Sequence, residues 1–167
     1  SVPDQGLRGV PPIYTLSGGQ TNAGLLTAGE HSVAIAKPKS GGSGEGVFAA
    51  VVEGITRLES SGHFGPFACV LGESLFLAVN TPLPNSMVLP RDSILPFLNG
   101  PMLRSSAVPA DRGVLVSLQN APVEIVVPSD ISARYLQMTP DAKHLFRVSQ
   151  RFVLRVKEPG AIVTLGA

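Results

Sequence analysis

Hydrophobic and polar positions change period along this chain. From Val47 to Leu58, apolar residues recur at spacings of four, four and three (Val47, Val51, Ile55, Leu58), the repeat of one helix face. Phe48 and Val52 widen that stripe. Ser43 is placed to cap the helix, and Glu45 suits the positive end of its dipole. Gly62 suits its C-terminus, and Pro66 bars continuation. Phe67–Leu71 then reads as a buried strand and Glu73–Val79 as a short helix with Leu75, Phe76 and Val79 facing inward. Thr81–Pro90 carries three prolines and reads as a loop. Asp92 is placed to cap a helix over Ser93–Leu98 that ends at Asn99-Gly100.

Beyond residue 100 the period shortens to two. Val114, Val116 and Leu118 alternate, and so do Val123, Ile125 and Val127, followed by a run from Ile131 to Met138. In Leu145–Lys157 the apolar residues Phe146, Val148, Phe152, Leu154 and Val156 alternate with Arg147, Arg151, Arg155 and Lys157. A strand there turns an apolar face one way and a basic stripe the other. Ala161–Leu165 is a last strand after Pro159-Gly160. Before the main helix, Ser32–Ala36 alternates as a short strand, and Lys37–Gly44 has linker composition. The order is an α+β pattern: two or three helices on a mainly antiparallel sheet.

Composition narrows the chemistry. The chain has 167 residues, 44% hydrophobic but only 5% aromatic, so aliphatic side chains build the core. A net charge of +1 gives no electrostatic case for nucleic acid or an anionic membrane. No apolar run approaches the ~20 residues of a membrane helix. Cys69 stands alone inside an apolar run and reads as a small buried hydrophobe. His31, His63 and His144 lack metal-ligand spacing, so neither a metal nor a cofactor is expected. Gly41–Gly46 lacks the Gly-Lys-Ser/Thr ending of a phosphate loop and reads as linker. Gly72-Glu73-Ser74 fails the pattern of a nucleophile elbow at Leu75-Phe76. A soluble, cytoplasmic protein without catalytic residues is the expectation.

Several segments, taken in order, resemble one family. Gly62-His63-Phe64-Gly65-Pro66-Phe67 is similar to a Gly-x-x-Gly-Pro-Tyr/Phe turn between a helix and a hydrophobic strand. A short helix, a variable loop and a helix ending in Gly follow it here as they do there. Ser129-Asp130-Ile131-Ser132-Ala133-Arg134-Tyr135 is similar to a Gln-Asp-Leu-Ser-Ile-Gly-Tyr segment. His144–Val148, Phe152–Val156 and Glu158–Val163 resemble the strands that close the chain, and Ile13-Tyr14 with Gly24-Leu25-Leu26 gives a fainter match. From about Ser43 to Leu165 the chain resembles the C-terminal half of the encapsulins, linocin- or bacteriocin-type shell proteins with the fold of tailed-phage major capsid proteins. The chain departs from the family at Leu118–Val123, where the family has Arg-Gly-Gly-Asp-Phe.

That resemblance implies a structural protein, not an enzyme, that self-assembles into an icosahedral-type nanocompartment around cargo enzyme. It implies an N-terminal extension and linker over 1–42, an axial α+β domain over 43–142, and C-terminal strands over 143–167 that return to a peripheral domain. The loop Thr81, Pro82, Leu83, Pro84, Asn85, Ser86 and Met87 would line a pore. The stripe Arg147, Arg151, Arg155 and Lys157 would meet carboxylates of a neighbouring strand or subunit, or water. The family's spine helix, extended loop and N-terminal arm would precede residue 10, so the chain is expected to be a fragment or a shortened relative. A phage or prophage capsid protein is the second reading. A hydrolase or peptidase, with Ser74 or Ser132 meeting a histidine, and a binding module that does not assemble are the readings from other classes.

Overall fold

The computed structural model describes residues 24–36, 44–83, 87–138 and 140–166, side chains excepted at 129, 149, 151 and 152. In chain order the elements are α1 (Leu25–Ala28), β1 (His31–Val33), α2 (Gly44–Ser60), β2 (Phe67–Leu71), α3 (Glu73–Val79), α4 (Pro90–Leu98), β3 (Met102–Arg104), β4 (Gly113–Ser117), β5 (Val123–Met138), β6 (His144–Val156) and β7 (Ile162–Leu165). A 3-10 turn, Pro159–Ala161, precedes β7. The expected cap Ser43, the linker 37–43 and the segment before residue 24 lie outside the described residues.

Helix α2 forms because its apolar stripe finds a sheet. Val47, Val51, Ile55 and Leu58 are buried, with Phe48 and Val52 at the margin. Its end is fixed by two backbone bonds: the Gly62 N–H donates to the Glu59 carbonyl (3.0 Å) and the His63 N–H to the Leu58 carbonyl (2.9 Å). This closure needs a left-handed residue, and Gly62 supplies it at φ +85°. The following turn is tied to the end of β4. The Phe64 carbonyl accepts from Ser117 Oγ (2.6 Å), the Phe64 N–H donates to Gln119 Oε1 (3.1 Å), and the Leu118 N–H donates to the Pro66 carbonyl (2.8 Å). These bonds aim β2 into the sheet.

Five strands form one sheet in the order β1-β7-β4-β2-β3. Strand β4 is antiparallel to β2 and β7, whereas the outer pairs β1/β7 and β2/β3 are parallel. The expected mainly antiparallel sheet is therefore corrected to a mixed one. A parallel β2/β3 pair needs a crossover, and α3, the following loop and α4 provide it. On one face Phe67, Cys69, Leu71, Leu115, Val163 and Leu165 pack under α2, α3 and α4. On the other, Val114, Val116 and Ile162 meet α1 and Val123 and Val156 at the base of the remaining strands.

Strands β5 and β6 make a separate antiparallel hairpin. Val123–Val127 and Ile131–Met138, expected as two runs, form one 16-residue strand with register shifts after Val126, Ser129 and Tyr135. The expected domain boundary at 142/143 falls in the turn joining its two strands. Two expectations about element ends change. Strand β4 stops at Ser117, so Leu118 is exposed outside it. Asp92 is not a cap: Pro90 takes the first helical position of α4, Leu89 precedes it, and Asp92 lies in the first turn. Strand β3 and the single turn α1 have too few residues to show a period.

Gly54 is where α2 comes closest to the sheet. A Cβ there would lie 3.0 Å from Leu115 Cδ2 and 3.5 Å from Val163 Cγ1. Gly54→Val should therefore force the helix off the sheet and cost about 1–3 kcal/mol, the usual penalty of overpacking. The check is a lower urea midpoint at unchanged m-value. An unchanged midpoint would mean the helix is not seated this closely.

Candidate functional site

Reactive chemistry is sparse among the described residues. No group of three or more His, Cys, Asp or Glu is placed to hold a metal. Cys69 is fully buried, and burial pushes its thiol up to about 12. One serine does meet a histidine: Ser61 Oγ lies 3.2 Å from His31 Nε2. That hydroxyl also reaches the Arg57 carbonyl in the last turn of α2 (3.0 Å). The hydroxyl has one proton for these two contacts, and which of them it serves follows the tautomer of His31. The pair is exposed and ties β1 to α2, as does Arg57 Nη1 donating to the Ser32 carbonyl (2.6 Å).

The unusual surface is the β5–β6 hairpin. Its base is anchored: Val123 and Val156 pack on the sheet, and the Lys157 N–H donates to the Pro122 carbonyl (2.8 Å). Glu124 bonds Lys157 Nζ (2.6 Å) and Arg155 Nη1 (3.2 Å). The hydrogen bond from Lys157 is the main influence holding the Glu124 carboxyl below its usual range. Beyond the base the strands leave the body, and their apolar side chains stand in water. Ile131 and Val148 are each 68% exposed and Phe146 59%. The apolar face expected on β6 is present, exposed at Phe146 and Val148 and half-buried at Leu154 and Val156. Tyr135 packs edge-on against Phe146 (5.5 Å between ring centres) and tilts toward His144 (5.8 Å).

The expected basic stripe divides along this hairpin. Arg155 and Lys157 share Glu124 at the base. Arg147 lies farther out, directly across from Arg134. The Arg151 side chain lies outside the described residues. Arg134 was missed in the sequence because only the register reveals its partner.

The other expected site, the loop after α3, is partly described. Thr81 Oγ1 donates to the Leu77 carbonyl (2.8 Å) and Asn80 Nδ2 to the Phe76 carbonyl (2.7 Å), which fixes where the loop departs. Pro82 and Leu83 follow, and Met87 is fully exposed where the chain returns. Pro84, Asn85 and Ser86 lie outside the described residues.

This mixed five-stranded sheet under three helices, with its long hairpin, is similar in fold to solved structures of a virus-like particle and a phage capsid. The virus-like particle of Pyrococcus furiosus superposes with a TM-score of 0.69 at 17% identity, over 83% of this chain and 57% of that one. The capsid of Myoviridae phage XM1 superposes at 0.65 and 16%, over 97% and 58%. Residues 14–153 match the Linocin_M18 family, described as an encapsulating protein for peroxidase, and the chain belongs to that family. It is 34% identical over 143 residues to the type 1 encapsulin shell protein EncA of Myxococcus xanthus. That alignment takes in 85% of this chain and 48% of EncA, so the chain spans about half the length of this curated relative.

Two solution measurements follow from these groups. Cys69 should resist a thiol reagent at pH 8 in the folded protein and react at once in denaturant; rapid native labelling would contradict its burial. Glu124, whose carboxyl is held low, contributes stability that is full above the ordinary carboxylate pKa of about 4.3. That contribution is lost as pH falls through the depressed folded value. Glu124→Gln should remove this part of the acid response, read as hydrogen exchange at residues 123–126 and 153–157 between pH 6 and pH 3. Equal pH profiles in the two proteins would refute the role of Glu124.

Proposed function

We propose that this chain is the axial domain and part of the peripheral domain of a shell subunit. Through them the protein assembles into a closed cytoplasmic compartment around a cargo enzyme, and the shell itself performs no catalysis. The observation that carries this reading is the hairpin. Two long strands with uncovered apolar side chains on both faces are poorly stable alone, because a lone two-stranded ribbon buries too little. Such a surface gains stability by being covered, and repeated identical contacts that close on themselves make rings and cages. The family's description, an encapsulating protein for peroxidase, supports an enclosed enzyme as the cargo.

In this reading the division into 1–42, 43–142 and 143–167 separates an extension, an axial domain and strands of the peripheral domain. The loop Thr81–Met87 faces a symmetry axis and lines a pore. The loop carries no charge, so the opening is a neutral, proline-stiffened constriction.

Electron microscopy with light scattering on the full-length gene product tests this. Monodisperse hollow particles are expected, with the 81–87 loop at an axis in the reconstruction. A monomer at high concentration would overturn the shell, and a loop away from every axis would overturn the pore.

A further inference from the structure

We infer that Asn99 is a modification site: its side-chain amide is lost through attack by the Gly100 nitrogen, a reaction the folded chain holds off until β3 leaves the sheet. It needs no partner chain and no cofactor, only water.

Asn99-Gly100 is the only Asn-Gly pair in the chain. The other asparagines precede Ala23, Thr81, Ser86 and Ala121, whose side chains crowd the nitrogen that would attack, whereas glycine leaves it open. Asn99 is exposed. In the reaction the Gly100 nitrogen gives its proton to water and bonds to Asn99 Cγ. The Cγ–Nδ2 bond breaks, and the amide nitrogen leaves as ammonia. Water then opens the five-membered imide. Opening on the side-chain side gives aspartate. Opening on the main-chain side gives isoaspartate, with one extra methylene in the backbone between α4 and β3.

The fold sets the gate. Asn99 caps α4 in the left-handed region, at φ +47° and ψ +31°, and its N–H donates to the Leu95 carbonyl (3.1 Å). In an L residue this ψ holds the next nitrogen nearly opposite Cβ across the Cα–C bond, whereas the imide ring needs both on the same side. Turning that bond must displace either α4 or Gly100. Helix α4 is anchored by Ile94 and Leu98, both fully buried. Gly100 is wedged against β2, where a Cβ would clash with the Phe67 carbonyl oxygen. Beside it the Cys69 N–H donates to the Pro101 carbonyl (2.9 Å), and β3 follows, three residues at the sheet edge paired with β2. A short edge strand opens at lower cost than a helix seated in the core, so β3 is what yields. Isoaspartate cannot return to this seat, because the longer backbone has no room beside Phe67 if the cap and the Pro101 bond are both kept. Aspartate places a negative charge at the negative end of the α4 dipole. Folded chains therefore keep Asn99, and chains whose edge strand has come away are marked one-way.

Peptide mapping by mass, with isoaspartate and aspartate separated by retention, tests this on the full chain held at pH 8.5 with and without denaturant. Conversion at position 99 should be at least about tenfold slower in the folded protein. Met102→Ala removes the one buried side chain of β3 and should raise the folded rate about threefold or more, with the rate in denaturant unchanged. Asn99→Gly keeps the left-handed cap without a side-chain amide and should show no conversion there at unchanged stability. Converted wild type should exchange its amides at 102–104 faster than unconverted protein. Equal rates with and without denaturant would overturn the inference. So would a Met102→Ala protein that converts at the wild-type folded rate. A rise no larger than Gly54→Val gives at the same loss of stability would also overturn it, because the gate would then be global unfolding and not β3.

Discussion

Gly113–Ser117 (β4) is buried along its whole length, so its backbone must find every partner inside the protein. It does so by pairing with β2 on one edge and β7 on the other. Its side chains serve two cores at once, Leu115 beneath α2 and Val114 and Val116 on the opposite face. Ser117 ends the strand with its hydroxyl bonded to the Phe64 carbonyl. The position of α2, the aim of β2 and the seat of α1 all depend on this central strand being covered from both sides.

The same strand determines where the hairpin stands. The chain leaves β4 through Leu118–Pro122, runs out and back along β5 and β6, and returns at β7, the neighbour of β4. Both ends of the hairpin are therefore held by adjacent strands of one rigid sheet. Val123 and Val156, opposite each other in register, plug into the core at that point. A surface held this way keeps its direction relative to the body.

Elements set by local chemistry were legible in the sequence. The stripe of α2, its glycine stop, the bounds of β2 and the whole of α3 follow from period and punctuation, and Cys69 from its apolar neighbours. Tertiary context decided the rest. Alternation through Val114, Val116 and Leu118 suggests one buried face, but β4 is central and buries both, and Leu118 falls beyond its end. Alternation along β6 does predict opposite faces, yet no periodicity says whether anything covers them. The Arg134–Arg147 pair depends on a register that bulges shift, and the role of Glu124 depends on strand pairing. Of the candidate site, the stripe was readable as residues but not as a divided one, answered by Glu124 at its base and open farther out.

Because the hairpin enters and leaves through neighbouring strands, its length is independent of the core. Adding or removing a matched residue pair near the Pro140–Lys143 end shifts its reach by about 3.3 Å per residue. Nothing in the five-stranded sheet has to move to absorb that change. The fold thus separates two properties: the packed core resides in the sheet, and the reach of the surface resides in an arm of adjustable length. Insertions and deletions at that end change the reach of the arm and leave the sheet as it is.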